Sequence, residues 1–233
     1  MRHLHLGTPW IQGSMDMDDP LRLVHEYVQR MMAWLLFVEP SSVGQRRAMQ
    51  LGLGAGSLTK FCTQRLHMQT TAVELNPLVA QACHLWFELP AQGPRQELVL
   101  ADAATEVQAR RWQGRIDALQ VDLYDHEAAA PVLDTDAFYR NCRQLLTPDG
   151  SMTVNLFGRA SSFQRSIEKI SAAFDLQALW VFKPTREGNT VVVAQRHAEP
   201  SKRAQLARYA DEIERRWGLP AHKWSRILRP VRS

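Results

Sequence analysis

Residues 48–56 read AMQLGLGAG, a short apolar run that leads into a loop with three glycines. A segment with helical periodicity follows at once, near residues 57–66. A strand that ends in such a loop before a helix lets backbone amides approach a phosphate or nucleoside closely. The stretch therefore predicts a strand–loop–helix unit with Gly52, Gly54 and Gly56 as ligand-binding residues. A glycine-rich turn without a ligand is the alternative.

The rest of the chain alternates short apolar strands with amphipathic helices. The predicted strands span residues 48–53, 71–74, 97–101, 116–121, 151–157, 176–181 and 190–195. The predicted helices span residues 57–66, 77–87, 135–146 and 161–174. Strands that alternate with helices form a mostly parallel sheet covered by helices on both faces. We predict an α/β fold with an open, doubly wound, seven-stranded sheet, whose last two strands are antiparallel neighbours.

Two shorter segments flank this sheet domain, which we place at residues 20–199. Residues 1–19 contain two short runs around a turn and predict an N-terminal β-hairpin. A buried helix is predicted from residue 20 to about residue 37, since an Asp-Pro start precedes an apolar segment. Residues 200–233 predict a basic tail that docks as an amphipathic helix. Its apolar face consists of Leu206, Ala210, Ile213 and Trp217.

The composition is typical of a globular protein with one main core, since 45% of the 233 residues are hydrophobic and 22% are charged. No apolar run reaches the roughly 18 residues that a membrane span needs. The N-terminus lacks the continuous apolar stretch of a secretory signal. We therefore expect a cytoplasmic protein with no membrane partner.

The excess of positive charge lies in the tail. Residues 200–233 hold nine Lys or Arg and three Asp or Glu, a net charge of +6, whereas the other residues hold 19 and 21, a net charge of −2. Basic segments can bind nucleic acid. In this tail the basic residues alternate with an apolar stripe and form no block, so we do not expect nucleic acid as a partner.

The potential metal ligands of the sequence form no recognisable set. Cys62, Cys83 and Cys142 lie far apart and lack the CxxC spacing of a zinc site. His3 and His5 share one face of the first hairpin strand, but no cysteine or carboxylate stands beside them in the sequence to complete a site. We predict no metal ion and expect the cysteines to be buried thiols.

Two carboxylates follow the second and third predicted strands. Glu74 ends the second strand about 20 residues after the glycine loop, where a carboxylate can accept hydrogen bonds from both ribose hydroxyls. Asp102 ends the third strand at the same edge, where it can accept a hydrogen bond from an adenine amino group. The glycine spacing differs from the longer dinucleotide fingerprint and favours a mononucleoside. Helix capping is the alternative role of each carboxylate.

A pair of carboxylates follows the fourth predicted strand. Asp122 and Asp125 emerge at the same edge of the sheet as the glycine loop. Two carboxylates in a cleft can hold a cationic amine, and one with a raised pKa can take a proton from it. We predict both as catalytic residues, with a turn-capping pair as the alternative. His126 is a further candidate base, for which a loop hydrogen bond is the favoured role, and Asp117 at the opposite end of the strand is predicted to be structural.

The order of these motifs resembles that of the spermidine synthases, the polyamine aminopropyltransferases. They lie within the S-adenosylmethionine-dependent, methyltransferase-like Rossmann superfamily. The resemblance runs from about residue 4 to residue 195, and its most diagnostic motif is Asp122-Leu123-Tyr124-Asp125. The other matching segments are the hairpin with Gln12, the helix with Tyr27 and Met31, the glycine loop, and residues 73–76, 101–103 and 145–150. The resemblance implies a class I methyltransferase-like fold and a transferase activity.

The resemblance also implies roles for individual residues. It implies contacts with the donor nucleoside at Glu74, Asp102 and Ala103. It assigns Asp122 to orienting the acceptor amine and accepting its proton, with support from Asp125. The implied substrate-binding residues are Gln12, Tyr27, Tyr124 and Arg186. A homodimer is a further expectation from the resemblance.

Three features depart from the pattern of this family. The N-terminal β-region is only a hairpin, which implies a more open cleft. Ala55 stands where the family has an Asp that holds the aminopropyl ammonium, so we expect poor discrimination between decarboxylated and intact S-adenosylmethionine. Arg186 replaces an aromatic wall of the amine channel, which makes a diamine less favourable there.

We predict a transferase that binds an adenosyl sulfonium donor and transfers an alkyl group, by resemblance an aminopropyl group, to an amine acceptor. The donor is decarboxylated S-adenosylmethionine or S-adenosylmethionine, and donor and acceptor are small molecules. The first alternative is a methyltransferase that uses S-adenosylmethionine on an acceptor that is acidic, given Arg159 and Arg186. The second alternative is a non-catalytic nucleoside-binding or interaction module.

Overall fold

A sheet of eight strands crosses the centre of the computed structural model. The structure describes residues 1–123, 133–157, 160–197 and 203–231. Two strands form a separate N-terminal hairpin, namely β1 (Arg2–His5) and β2 (Ile11–Met15). The strands of the central sheet are β3 (Arg47–Leu51), β4 (Gln69–Glu74), β5 (Gln96–Leu100), β6 (Ile116–Val121), β7 (Leu146–Phe157), β8 (Leu179–Val181), β9 (Asn189–Gln195) and β10 (Arg229–Pro230).

The order of strands in the sheet is β10-β8-β9-β7-β6-β3-β4-β5. The five strands from β7 to β5 are parallel, and β9 is antiparallel to both β7 and β8. After β5 the chain returns to the other side of β3 and adds β6 there. The carboxyl ends of β3 and β6 therefore border the crevice at which open α/β sheets bind their ligands.

The four predicted helices form between these strands. The α-helices in the described part of the chain are α1 (Glu26–Arg30), α2 (Ser57–Lys60), α3 (Pro77–Trp86), α4 (Ala103–Glu106), α5 (Asp136–Leu145), α6 (Ala160–Ala173), α7 (Arg203–Trp217) and α8 (Ala221–Ile227). A π-helical turn, Phe61–Arg65, extends α2. None of the helices in the described ranges is both long enough and apolar enough to cross a bilayer.

Both faces of the sheet are buried. Along β9, Val191 and Val193 belong to one cluster of buried apolar residues, whereas Val192 and Ala194 belong to a second. Successive side chains of a strand point to opposite faces, so the two clusters occupy the two sides of the sheet. The three cysteines lie buried as free thiols, as predicted.

The sheet has eight strands where the sequence predicts seven. The additional strand is β10 in the tail, which pairs antiparallel with β8 through Arg229 opposite Val181 and Pro230 opposite Trp180. Proline is tolerated on an edge strand, where its missing N–H faces no partner. A strand of two residues has no hydrophobic periodicity, so the sequence pattern contains no signal for it.

The buried helix predicted for residues 20–37 is interrupted. Only α1 and a 3-10 helix, Ala33–Phe37, form within this segment. The backbone N–H of Leu21 donates to Asp19 Oδ1 at 3.3 Å, so the Asp-Pro sequence begins a turn instead of a helix. The apolar side chains of residues 31–36 are all buried, whichever side of the segment they lie on. Tertiary packing rather than helical periodicity therefore determines the backbone conformation there.

The tail contributes to the main core. The apolar face predicted for it forms on α7, where Ala210 and Ile213 are fully buried. They share one cluster with Trp34 on the 3-10 helix and Trp224 on α8. The tail therefore packs against the segment that leads from α1 into the sheet.

Candidate active site

A cavity of about 1080 Å³ opens at the crevice between β3 and β6. The hairpin and the segment around α1 form one wall, and the carboxyl ends of the parallel strands form the other. The predicted site residues that line it are Gln12, Tyr27, Gly52, Gly54, Glu74, Asp102, Ala103 and Asp122. Residues far apart in sequence are thus brought to one edge of the sheet.

The other predicted site residues lie elsewhere. Those outside the described residues are Tyr124, Asp125, His126 and Arg159. Gly56 begins α2 with a φ of +70° and packs against Leu89 behind the loop, so it shapes the turn and does not line the cavity. Arg186 is exposed on the β8–β9 loop and does not line the cavity either, whereas its neighbour Glu187 does. The described lining at this loop is therefore the Glu187 carboxylate.

Gly52 allows a close approach between the two strands that border the crevice. Its φ is +89°, and a Cβ at this position would overlap the backbone carbonyl oxygen of Asp122. Gly54 has a φ of +52° and lies against the carbonyl oxygen of Gln12 in the hairpin. Gly52 thus allows the loop to pack against the end of β6, and Gly54 leaves space for the backbone of the hairpin.

Glu74 connects the glycine loop to the end of β4. Its Oε2 accepts a hydrogen bond from the backbone N–H of Leu53 at 3.0 Å, and its Oε1 accepts one from Asn76 at 2.8 Å. Each oxygen of an ionised carboxylate keeps further lone-pair capacity. The carboxylate is therefore held rigidly at the cavity wall and can still accept hydrogen bonds from a ligand.

Asp102 caps a helix and also lines the cavity. Its Oδ1 accepts a hydrogen bond from the backbone N–H of Ala104 at 2.8 Å and caps the start of α4. The residue lines the cavity as well, beside Ala103. Capping and ligand contact are compatible here, because a carboxylate has acceptor sites on both oxygens.

Asp122 follows β6 and is held by two polar side chains. Asn155 Nδ2 donates to its Oδ1 at 2.9 Å, and the Tyr27 hydroxyl donates a second hydrogen bond. Burial raises the pKa of the Asp122 carboxyl above its ordinary value, and these two hydrogen bonds oppose the rise. Burial, together with the neighbouring Asp122 carboxylate, keeps the pKa of Tyr27 well above its ordinary value. The phenol thus stays a donor that orients the carboxylate.

Asn155 and Asn189 are site residues that the sequence reasoning missed. Asn155 lies near the end of β7, and its Oδ1 accepts a hydrogen bond from Asn189 Nδ2 at 3.3 Å. Both side chains line the cavity. The sequence does contain a signal for Asn155, which is a polar residue within the apolar run of β7. In the sheet, β7 lies next to β6, the strand that Asp122 follows.

Ala55 faces the hairpin. It is only 2% exposed, and a Cβ placed on Gly13 would lie 2.6 Å from the Ala55 Cβ. Ala55 does not line the cavity. An aspartate at this position would therefore displace the hairpin, and Gly13 and Ala55 form a matched pair of small residues at this contact.

The cavity is acidic. Its described lining residues include five carboxylates and no Lys or Arg. These carboxylates belong to Glu26, Glu74, Asp102, Asp122 and Glu187. Glu26 is neutralised from outside the cavity by Arg30 and Lys223, at 3.0 and 2.8 Å. The remaining carboxylates favour cationic ligands.

The strand order, the glycine loop and the acidic edge are those of a protein with the methyltransferase-like Rossmann fold. Comparison with known proteins narrows this class. The chain is 34% identical over 221 residues to the polyamine aminopropyltransferase of Chromobacterium violaceum, across 94% of this chain and 82% of the relative. It belongs to the polyamine aminopropyltransferase family. No protein-family model matches the sequence.

Solved structures show the same fold. Human Methyltransferase-like protein 13, solved in complex with SAH, superposes with a TM-score of 0.71 at 24% identity, over 82% of this chain and 92% of that one. A probable spermidine synthase from Corynebacterium glutamicum superposes with a TM-score of 0.68 at 18% identity, over 88% of this chain and 79% of that one. The fold is thus common to methyl- and aminopropyltransferases, and the distinction between them depends on the site.

Proposed function

We propose that this protein transfers the aminopropyl group of decarboxylated S-adenosylmethionine to an amine acceptor. The observation that carries the proposal is Asp122, held by Asn155 and Tyr27 in a cavity whose described lining has five carboxylates and no Lys or Arg. Both substrates of this reaction are cationic, because the donor has a sulfonium and an ammonium group and alkylamines are protonated near neutral pH. Membership of the polyamine aminopropyltransferase family supports the same reaction.

The donor nucleoside fits the side of the cavity formed by β3, β4 and β5. Gly52 and Gly54 leave their backbone open to the ligand, and Glu74 accepts hydrogen bonds from the ribose hydroxyls. Asp102 and Ala103 lie one strand further on, where the adenine is accommodated. The SAH in the human Methyltransferase-like protein 13 structure supports an adenosyl ligand for this fold.

The charge of the cavity favours the decarboxylated donor. Intact S-adenosylmethionine carries a carboxylate, which the acidic lining repels and which no described lining cation would neutralise. The aminopropyl ammonium of the decarboxylated donor is attracted by the same lining. On this proposal, carboxylates elsewhere in the cavity discriminate between the two donors, although Ala55 provides no charge in the glycine loop.

The acceptor nitrogen approaches from the side of Asp122. This carboxylate holds the ammonium and accepts its proton, which frees the nitrogen lone pair for attack. A bond forms between that nitrogen and the donor carbon next to sulfur, while the carbon–sulfur bond breaks and its electron pair stays on sulfur. Gln12 Nε2 is buried at the cavity without a hydrogen-bond partner in the described structure, and it offers a donor group to the substrates. The residues accelerate the reaction chiefly by positioning and by electrostatics.

Methyl transfer from intact S-adenosylmethionine is the second candidate. The name of human Methyltransferase-like protein 13, whose fold this chain shares, is what supports it. The acidic lining indicates an amine acceptor here as well. The acidic acceptor that Arg159 and Arg186 suggested has no described cation on the cavity wall to bind it.

A donor-swap assay tests the proposed function. The purified chain is incubated with a linear diamine and either decarboxylated or intact S-adenosylmethionine, and the products are identified by mass spectrometry. We expect aminopropylated amine and methylthioadenosine from the decarboxylated donor only. Methylated amine from the intact donor would support the second candidate, and binding of both donors without product would support a non-catalytic nucleoside-binding module.

Replacing Glu74 with Ala is expected to weaken donor binding by about 10- to 100-fold, since a hydrogen bond to a charged group contributes roughly 1.5 to 3 kcal/mol. Titration calorimetry measures the affinity. Glu97→Ala is the matched control, because Glu97 lies on neighbouring β5 and does not line the cavity. Donor affinity equal to that of the wild type in a folded Glu74→Ala protein would remove Glu74 from the nucleoside site.

Replacing Asn155 with Leu is expected to move the acidic limb of the kcat/KM profile to higher pH by about 1 to 2 units. The Asn155 hydrogen bond lowers the pKa of Asp122, so its loss raises that pKa further. Activity requires the ionised carboxylate and falls as the pH drops through the raised pKa. The magnitude corresponds to one hydrogen bond to a charged group, about 1.5 to 3 kcal/mol.

The control for this variant is Thr153→Val on the same strand. Thr153 Oγ1 donates to the carbonyl oxygen of Met31 at 3.0 Å, and the residue does not line the cavity. Its replacement removes a buried hydrogen bond of β7 and should leave the pH profile in place. An unchanged profile in Asn155→Leu as well would show that Asn155 does not tune Asp122.

A further inference from the structure

Three polar side chains form a continuous hydrogen-bonded chain through the hairpin. His25 lines the cavity, and its Nε2 lies 2.7 Å from Ser14 Oγ. Ser14 Oγ lies 2.8 Å from Nδ1 of His3. Ser14 is buried, at 2% exposure, whereas His3 is exposed on the outer surface. The chain therefore connects the inside of the cavity with solvent.

The fold of the hairpin fixes this arrangement. His3 on β1 and Ser14 on β2 are directly opposite each other in the antiparallel register, so their side chains share one face. His25 precedes α1 and stacks on Tyr27, with ring centroids 6.0 Å apart and an interplanar angle of 23°. Tyr27 in turn donates its hydrogen bond to Asp122. The inner end of the chain thus lies beside the residues that hold the carboxylate.

The hydrogen bonds of these groups admit an arrangement in which protons move outward from the cavity. A serine hydroxyl has one proton, so Ser14 donates to one imidazole and accepts from the other. When His25 Nε2–H donates to Ser14 and Ser14 donates to His3, Nδ1 of His25 carries no proton and is free to accept one. Burial lowers the pKa of His25, as does the neighbouring His3, while Glu187 raises it. Burial is the largest of these effects and keeps His25 neutral near pH 7.

We propose that His25, Ser14 and His3 form the exit path for the proton that leaves the acceptor ammonium. The proposal rests on the proposed transfer to an amine. Nδ1 of His25 receives the proton that Asp122 has taken from the ammonium, while Nε2 passes its own proton to Ser14 Oγ. Ser14 passes its proton to His3 Nδ1, and His3 Nε2 releases one to water. One proton enters and one leaves, and no bond other than N–H and O–H bonds changes.

Turnover requires the proton to leave the cavity once Asp122 has taken it. A protonated alkylamine has a pKa of about 10. Burial raises the pKa of Asp122, which favours acceptance of this proton, and the carboxylate must lose it again before the next cycle. Among the described lining residues, His25 is the only one whose side chain ordinarily titrates near neutral pH. Asp122 then holds and orients the nitrogen, and His25 carries the proton away.

Turnover of matched variants tests the path, measured at pH 7 in dilute buffer. His25→Ala and Ser14→Ala are expected to lose at least tenfold in kcat, with donor affinity retained. Added imidazole should restore His25→Ala, because it supplies the base that the variant lacks. His5→Gln is the control, since His5 lies on the same strand and its Nδ1 lies 3.3 Å from the carbonyl oxygen of Thr8 instead of against Ser14. Wild-type kcat in both variants, or a loss in His25→Ala that imidazole does not restore, would overturn the proposal.

Nitrogen NMR of the imidazole rings keeps the test independent of the proposed function. A wild-type protein that produces no aminopropylated amine would refute the proposed reaction. The hydrogen bonds between His25, Ser14 and His3 could still be measured in that case. In Ser14→Ala the ring-nitrogen signals of both His3 and His25 should shift, while those of His5 stay in place. Shifts in both rings would support the hydrogen-bonded chain, and unchanged signals would overturn it.

Discussion

Replacing Asp122 with Asn should reduce kcat by about 10²- to 10⁴-fold, the usual contribution of a positioned acid or base. The amide keeps the shape of the carboxylate, and it still accepts the hydrogen bond from Asn155. It carries no negative charge and is a poor proton acceptor. Donor affinity should change little, because the nucleoside is proposed to lie against β3, β4 and β5. Rapid-quench measurements of product formation, with calorimetry of donor binding, check both expectations.

The control for Asp122→Asn is Asp117→Asn at the other end of β6. Asp117 Oδ2 accepts a hydrogen bond from the backbone N–H of Arg47 at 2.9 Å, and its Oδ1 accepts one from Thr147 Oγ1 at the same distance. These contacts are structural, so Asp117→Asn should lower thermal stability and leave kcat of the folded protein unchanged. Equal kcat in Asp122→Asn and the wild type would exclude Asp122 from the reaction. A change in stability without a change in rate would favour its role as a turn cap.

The placement of the carboxylates was predictable because their strands are short, apolar and clearly bounded. Glu74, Asp102 and Asp122 each follow such a strand, and parallel strands present their carboxyl ends at one edge. The glycine loop identifies that edge as the ligand side. The sequence pattern therefore predicts both the sheet and the three residues that meet at the cavity.

The partners of these carboxylates were not predictable in the same way. Asn155 reaches Asp122 because β7 pairs with β6, and a periodic pattern does not state which strands become neighbours. The contact between Ser14 and His25 depends on how the hairpin lies on the segment before α1. The interruption of the helix predicted for residues 20–37 has a related cause, since tertiary packing overrides a local start signal there.

Replacing Gly52 with Ala should lower the free energy of unfolding by about 2 to 5 kcal/mol. A non-glycine residue at positive φ costs roughly 1 to 2 kcal/mol, and overpacking against fixed atoms adds about 1 to 3 kcal/mol. Here the added Cβ would overlap the backbone carbonyl oxygen of Asp122, which no side-chain rotation can relieve. Chemical denaturation measures the loss. Turnover of the remaining folded protein should fall by about 100-fold, the effect of displacing a reacting group by roughly 1 Å.

Gly114→Ala separates the two causes of that loss. Gly114 also has a positive φ, of +66°, but a Cβ there would meet no heavy atom within 4 Å. It should therefore show only the backbone cost, about 1 to 2 kcal/mol, with full turnover. If Gly52→Ala were as stable and as active as Gly114→Ala, the contact between the glycine loop and Asp122 would not matter to the site. Positive φ is common to both glycines, and of the two only Gly52 approaches Asp122. A loss of turnover in Gly52→Ala but not in Gly114→Ala would therefore show that the close approach of β3 and β6 positions the reacting carboxylate.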